Sequence, residues 1–436
     1  MPSDNAVGGS NHWSVEMLEA KRKLTDPLAD QTVADIITSG YEEKINEVFY
    51  KLVRNDSYSA DIFSDLPTEV SAAVNKYFQA TSQLPDWADQ GKIKIGERVF
   101  GTYGPEISML LNVKSLPLCY ACSKGAKVLF MTGRLSEQNG SIDPLARRLM
   151  ETAQMIVNAM MPGGLSSEGK GIVTMQKVRL IHASIRYFLK NPKFNKEGWD
   201  TATYGEPINQ EDMAGTLMSF AALILKGLEQ LNISLTTEEQ NAYMHCWEII
   251  GTMMGVDRDL IPTTYEDGWN LGIAIMSHQA EASDWGKELT NSCIAFLKYA
   301  VPGNLFDSVP EYMIWYFVQD VSEAIGKDIA PMIGVENNHS LKDLIVLKFT
   351  KLIIGGFSKA EDHSGIIQKI SIRFNRLMLQ GFLKHFNEGK NVHFYIPPSL
   401  QKDWKLVEEW ENTATSPSIL GNRLALQMQK PILYLF

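Results

Sequence analysis

The chain has 436 residues, 44% apolar and 21% charged, which excludes a disordered, collagenous or coiled-coil chain and suits a folded globule. Asp and Glu outnumber Lys and Arg by 51 to 41, a formal net charge of −10, so no broad phosphate-binding surface is expected and nucleic acid is set aside as a partner. No run of 18 apolar residues predicts a transmembrane helix, and the polar start MPSDNAVGGSNHWS lacks the apolar stretch of a secretory signal, which points to the cytoplasm unless a leader has been removed.

Apolar residues recur at three- and four-residue spacing over most long segments, which predicts an all-α fold. In chain order, the first helix is Tyr41–Val53, with Ile45, Val48, Phe49 and Leu52 on one face. Lys92-Ile93-Lys94-Ile95 is the best short strand candidate. Helices follow at Pro117–Met131 and at Asp143–Met161, the latter stopped by Pro162-Gly163-Gly164 because neither residue type continues a helix cheaply. Gly171–Lys190 ends at Asn191-Pro192, and Asn209–Leu228 is capped by Asn209 with Asp212 near its positive end. Thr237–Met254, Ser283–Ala300, Pro310–Ile325, Leu341–Ile354 and Ile366–Phe386 complete the main set, with a further helix after Pro397-Pro398 to about Gln429. No Gly/Ser-rich or Pro-rich linker, repeat or low-complexity tract divides the chain. The expected organisation is an N-terminal helical extension (1–88), one large α-domain (89–388) and a C-terminal helical tail (389–436).

Most catalytic signatures are absent: there is no H-E-x-x-H, G-x-S-x-G or EF-hand loop. Gly164-Leu165-Ser166-Ser167-Glu168-Gly169-Lys170 approaches a phosphate loop, but Gly171 stands where Ser or Thr would hold magnesium and a helix precedes it where a strand should, so it reads as a helix connection. Four cysteines cannot form a disulfide framework. Cys119-x-x-Cys122 lacks the second pair of a zinc site, which favours two half-buried helical thiols over a redox or metal role. Tryptophans such as Trp199, Trp247 and Trp269 read as core anchors.

None of the eight histidines lies within a helical turn of another, so there is no local two-histidine metal motif. A haem iron needs none, because it brings four porphyrin nitrogens and takes one proximal protein ligand. His182 fits such a role best: Met175, Val178, Ile185 and Leu189 share its stripe, Ala183 would let a ring approach, and Arg179 and Arg186 at i−3 and i+4 could pair with carboxylates, haem propionates included. The plainer reading is a core histidine bonded to a carbonyl, with solvated arginines. On another helix Arg148, Thr152, Met155 and Ala159 share a stripe with Glu151 beside it. Such a polar group could hold dioxygen or a substrate, or Arg148 and Glu151 could form an ordinary i,i+3 surface pair.

Five markers stand in order along the chain: Thr132-Gly133-Arg134-Leu135, Arg148-x-x-Glu151-Thr152, Val178-Arg179-Leu180-Ile181-His182-Ala183, the segment Gly205 to Asp212 (G-x-P-I-N-Q-x-D), and Gly255-Val256 leading to Leu260-Ile261-Pro262. Together they make the stretch from about Gly101 to Ile333 resemble the latex-clearing proteins, which are haem b rubber oxygenases. They also resemble the wider haem-oxygenase family that includes the prenyl-chain-cleaving oxygenase of mycophenolic acid biosynthesis. The resemblance implies an all-α fold with a globin-like core around haem b, appended helices at both ends, and dioxygen as co-substrate. It implies His182 as the proximal iron ligand, and Arg148 and Thr152 at the distal positions. Arg179 or Arg186 would anchor a propionate or brace the helix; Asn209 and Asp212 would cap. The latex-clearing branch carries an iron-ligating lysine just before the threonine, where this chain has Glu151. A carboxylate cannot reproduce that bond but can accept or donate a proton, so a smaller olefin or isoprenoid is as open as natural rubber. The expected activity is oxidative C=C cleavage of an apolar olefinic or isoprenoid substrate. The alternatives are a haem-dependent hydroxylase or peroxidase-like enzyme on a small apolar metabolite, or a non-enzymatic haem-binding or sensor protein. Nothing in the pattern specifies an oligomeric state.

Overall fold

The computed structural model describes residues 13–44, 47–48, 51, 58–132, 143–301, 309–336, 374–375 and 378–379, without the side chains of residues 43 and 143–148. Its helices are α1 (Val15–Lys21), α2 (Pro27–Thr38), α3 (Thr68–Ala80), α4 (Gln90–Leu110), α5 (Leu116–Ala121), α6 (Ser123–Met131), α7 (Asp143–Met160), α8 (Lys170–Lys190), α9 (Gln210–Phe220), α10 (Ala222–Gln230), α11 (Thr237–Met253), α12 (Tyr265–Gln279), α13 (Asp284–Ala300), α14 (Val309–Phe317) and α15 (Gln319–Ile325). A π-helical segment, Leu111–Ser115, joins α4 to α5, and single turns lie at Thr201–Tyr204 and Ile329–Met332. Among the described residues the only β feature is an isolated bridge between Cys122 and Ala280. The helices expected at Leu341–Ile354 and after Pro398, and most of that at Ile366–Phe386, lie outside the described residues, as do residues 45–46, 49–50 and 52–53 of that expected at Tyr41–Val53; Glu42–Lys44 is a 3-10 turn.

Several starts follow from local chemistry. Asp26 caps α2 and accepts the Ala29 N–H, with Pro27 in the first turn, where its missing N–H costs nothing. Asp89 accepts the Gly91 and Lys92 N–H groups at the start of α4. Thr236 and Glu239 form a reciprocal capping box on α11. Asn209 caps α9 through the Asp212 N–H, as expected from the sequence.

Two expectations are corrected. Lys92-Ile93-Lys94-Ile95 is not a strand but part of α4, whose buried Ile93, Val99, Phe100, Ile107 and Leu110 follow the helical period. Pro117–Met131 and Asn209–Leu228 are each two helices: Cys122 takes a non-helical conformation (φ −75°, ψ 83°) between α5 and α6, and Ala221 (φ −104°, ψ −93°) separates α9 from α10.

Helices α4 and α11 pack most extensively, and Gly96 permits it: a Cβ there would stand 2.5 Å from the Cys246 Sγ and 2.8 Å from the Ala242 carbonyl oxygen. The main core takes residues from α4 through α7 and from α9 onward. A second apolar cluster joins α2 and α3 to Leu180, Ala183 and Phe188 of α8. Ile172 and Met175 of the same helix belong to the main core, so α8 is wedged between the two. One buried cation pins the π-helical segment: the Lys114 ammonium donates to Asp320 (2.7 Å), the Phe317 carbonyl (2.6 Å) and Gln230 (2.9 Å).

Candidate functional site

Helices α7 and α8 form an antiparallel hairpin. At its closed end a Cβ on Gly171 would stand 2.8 Å from the Ala159 Cα, and Asn158 donates to the Thr174 hydroxyl at 3.0 Å. Equal rise along both helices then places His182 level with residues 148–150, and Thr152 level with residues 178–180. The turn explains the near-phosphate-loop sequence. The carboxylate of Glu97, 6% exposed, accepts the Gly163 N–H at 2.9 Å, so an internal anion occupies the turn. Burial raises the Glu97 pKa, and the turn amides pull it back in part.

Each hairpin helix carries half-buried side chains beside fully buried ones. On α7 these include Glu151, Thr152 and Met155, next to buried Leu149, Met150, Ile156 and Val157. On α8 they include Val178, Ile181, His182 and Ile185, next to buried Met175 and Leu189. His182 falls between Met175 and Val178 around the helix, on the side of the main core, and its Nδ1 is closed off from solvent. The backbone of Arg148 lies in α7, but its side chain is outside the described residues.

No group of three or more His, Cys, Asp or Glu able to hold a metal ion occurs among the described residues. A lone imidazole among apolar side chains does not suit a bare cation, but it suits an iron that arrives with four ring nitrogens and needs one more ligand. The residues therefore fit haem.

Arg179 and Arg186 are engaged by the N-terminal layer. Arg179 pairs with Asp26 through Nε (2.5 Å) and Nη2 (2.8 Å), and its Nη1 donates to the Met253 carbonyl at 3.3 Å. Arg186 Nε donates to Asp30 at 2.7 Å and its Nη1 to the Ile208 carbonyl at 3.3 Å, while its Nη2 is buried without a hydrogen-bond partner among the described residues. Of the two roles expected for these arginines, the contacts are those of a helix brace, in place of the solvated arginines of the plainer reading. Asp26 and Asp30 were not singled out in the sequence; the signal was an acidic i,i+4 pair at a capped helix start.

The Gly205 to Asp212 segment also has its explanation. Glu206 N–H donates to the Arg22 carbonyl (2.9 Å), Gln210 N–H to the Leu24 carbonyl (3.0 Å), and the Gln210 amide to the Thr25 and Gly255 carbonyls. Beneath this contact Arg22, 1% exposed, pairs with Glu211 (3.2 Å) and Asp212 (2.9 Å) and donates to the Tyr204 carbonyl. Glu211, fully buried, also meets the His278 Nδ1 at 2.6 Å and the Gln279 amide at 2.9 Å. Burial raises the pKa of both carboxyl groups, and Arg22 offsets part of the rise. None of this network was anticipated, because its members come from α1, α9 and α12.

The remaining candidates are structural. All four cysteines are free thiols, and burial raises the pKa of Cys119 and Cys122. His245 accepts the Asp89 N–H (2.9 Å) and pairs with Glu248 (2.9 Å), so both ring nitrogens are occupied. Trp247 is buried at 2% exposure, as expected of a core anchor, while Trp199 and Trp269 are half-buried.

A helical fold with one histidine on a hairpin beside a polar helix turn defines the class. The chain belongs to the family described as the catalytic domain of ER-bound oxygenase mpaB/B'/rubber oxygenase, whose model matches residues 115–336, and it is an oxygenase. A rubber oxygenase of Streptomyces sp. (strain K30) is 22% identical over 377 residues, covering 85% of each chain. The solved structure of a latex clearing protein, LCP, in the closed state shares the fold with a TM-score of 0.63 at 18% identity, over 86% of this chain and 95% of that one. No described helix is long and apolar enough to cross a membrane.

Proposed function

We propose that the chain is a haem b-dependent oxygenase that cleaves a carbon–carbon double bond of an apolar olefinic or isoprenoid substrate, with dioxygen as co-substrate. The observation that carries this reading is His182, half-buried on an apolar stripe and level with residues 148–150 of the facing helix, one turn along from Thr152. Haem, when bound, supplies the redox chemistry that activates dioxygen. His182 would hold its iron and set its electronics. Arg148 and Thr152, four residues apart in the sequence of α7, would stabilise negative charge developing on oxygen. Glu151 holds or moves a proton at its carboxylate. Met155, Val178 and Ile185 receive hydrocarbon and keep water out. Arg186, whose Nη2 has no hydrogen-bond partner among the described residues, would add a propionate contact to its bracing role, whereas all three nitrogens of Arg179 have acceptors. The isoprenoid substrate class rests on the rubber oxygenase relative, and Glu151 leaves a chain shorter than rubber equally suitable. The proposed organisation keeps residues 1–88 and 389–436 as additions to the oxygenase domain at 89–388.

The test is the absorption spectrum of freshly purified protein and of His182→Ala. A Soret band in the parent that disappears or shifts in the variant is expected; equal haem content with an unchanged spectrum refutes the ligand assignment. Mass spectrometry of products formed under isotopically labelled oxygen then separates the reactions. Paired carbonyl fragments support cleavage, and an intact hydroxylated skeleton overturns it in favour of a hydroxylase.

A further inference from the structure

We infer that residues 22–30 form a positioning strap for the histidine-bearing helix, with Asp26 and Asp30 as positioning residues that fix how α8 presents His182; this rests on the haem reading above. Arg179 and Arg186 lie three residues before and four after His182, so the two ion pairs straddle it along the axis. Both carboxylates come from the first turn and cap of one helix, α2, and the Asp26 pair is bidentate, which fixes orientation as well as distance. A helix held by two such pairs, with separate apolar clusters on either side, resists rotation about its own axis. Rotation is the motion that would change the approach of an imidazole to iron.

The strap has a cut seat. Gly255 lies at φ +80°, and a Cβ there would stand 2.7 Å from both the Arg179 Nε and the Asp26 Oδ2. Gly205, at φ +72°, would bring a Cβ to 3.0 Å from the Arg22 carbonyl oxygen and 3.2 Å from its Nε. Both glycines are thus required twice, once by a left-handed backbone and once by the strap lying against them. The Glu206 and Gln210 backbone bonds and the Gln210 side chain then tie residues 22–25 to the loop that starts α9. A continuous set of contacts runs from that loop through the strap to Asp26 and Arg179, which lies three residues before His182 on the same helix. Packing alone would need no charged pair in this position, since the apolar faces of α2, α3 and α8 already meet.

The experiment uses the full chain loaded with haem, comparing the parent, Asp26→Asn, Asp26→Glu, Asp30→Asn and His182→Ala. The readouts are haem content, ferric EPR spectrum, affinity for added imidazole as an iron ligand, and Tm. Asp26→Asn is expected to keep haem but to change the EPR signal and to shift imidazole affinity about fivefold or more, the scale at which coupled groups report on one another. Asp26→Glu is expected to restore the parent signal in part. If Asp26→Asn lowers Tm but leaves EPR and imidazole affinity at parent values, the pair is a stabilising contact only and the inference fails, while the haem reading stands. If Asp26→Asn does not fold, Asp30→Asn and Asp26→Glu carry the same comparison. If His182→Ala matches the parent spectrum, the assignment of His182 as iron ligand and this inference both fall.

Discussion

Arg22 is the residue whose replacement tests the buried network most directly. Its guanidinium is 1% exposed and faces two carboxylates, Glu211 at 0% and Asp212 at 15% side-chain exposure, one through each of two contacts within 3.2 Å. Arg22→Met keeps the length and apolar stem of the side chain but leaves both acids without their cation. Breaking a buried pair by removing one partner costs about 3–5 kcal/mol, because the remaining charge stays desolvated. The loss carries a pH signature. Burial raises the folded pKa of Glu211 and Asp212 above the ordinary values of 4.5 and 3.8, and Arg22 opposes that rise. In the variant the rise is larger. For an acid whose folded pKa is raised, the folded state binds the extra proton, so the stability it contributes is complete below the unfolded value and is lost as pH climbs through the folded one. The deficit of Arg22→Met should therefore be greatest near neutral pH and shrink as the pH falls toward the ordinary carboxylate range, because the raised acids take up protons on the way. Urea unfolding of parent and variant at the two pH values measures it. A deficit that is the same at both, or below about 1 kcal/mol at neutral pH, would refute a buried, charge-dependent network at this position.

Three further outcomes are expected. Lys114→Met leaves Asp320, the Phe317 carbonyl and Gln230 without their shared donor and should destabilise by about 3 kcal/mol or more in chemical denaturation, whereas a neutral result would mean the ammonium is not buried as described. Glu97→Ala removes the acceptor of the Gly163 N–H inside the α7–α8 turn and should cost about 1–3 kcal/mol, with faster amide exchange at residues 163–165 as the local sign. Thr236→Ala breaks the capping box of α11 and should cost about 1 kcal/mol without altering any spectroscopic property of the α7–α8 hairpin; a change there would show that α11 transmits strain to it.

The helices legible in the sequence are those whose signals are local. Asp143–Met160, Lys170–Lys190 and Asp284–Ala300 combine an apolar period with a stop or cap carried by the segment itself, so their limits could be read to within a residue. The same is true of His182 as a candidate, because its apolar stripe and flanking arginines lie on one helix. What sequence alone did not decide was the partner of each charged side chain. Arg179 and Arg186 could face solvent, a propionate or a carboxylate, and only the fold brings Asp26 and Asp30, from about 150 positions earlier, against them. The breaks at Cys122 and Ala221 escaped for a similar reason: neither residue is a Gly or Pro, and the bend is imposed by packing and by the Cys122–Ala280 bridge. Periodicity determines which face of a helix is buried, since that depends on neighbours three and four residues away. Which distant group meets that face depends on how the helices pack, and that is settled only when the whole chain has folded.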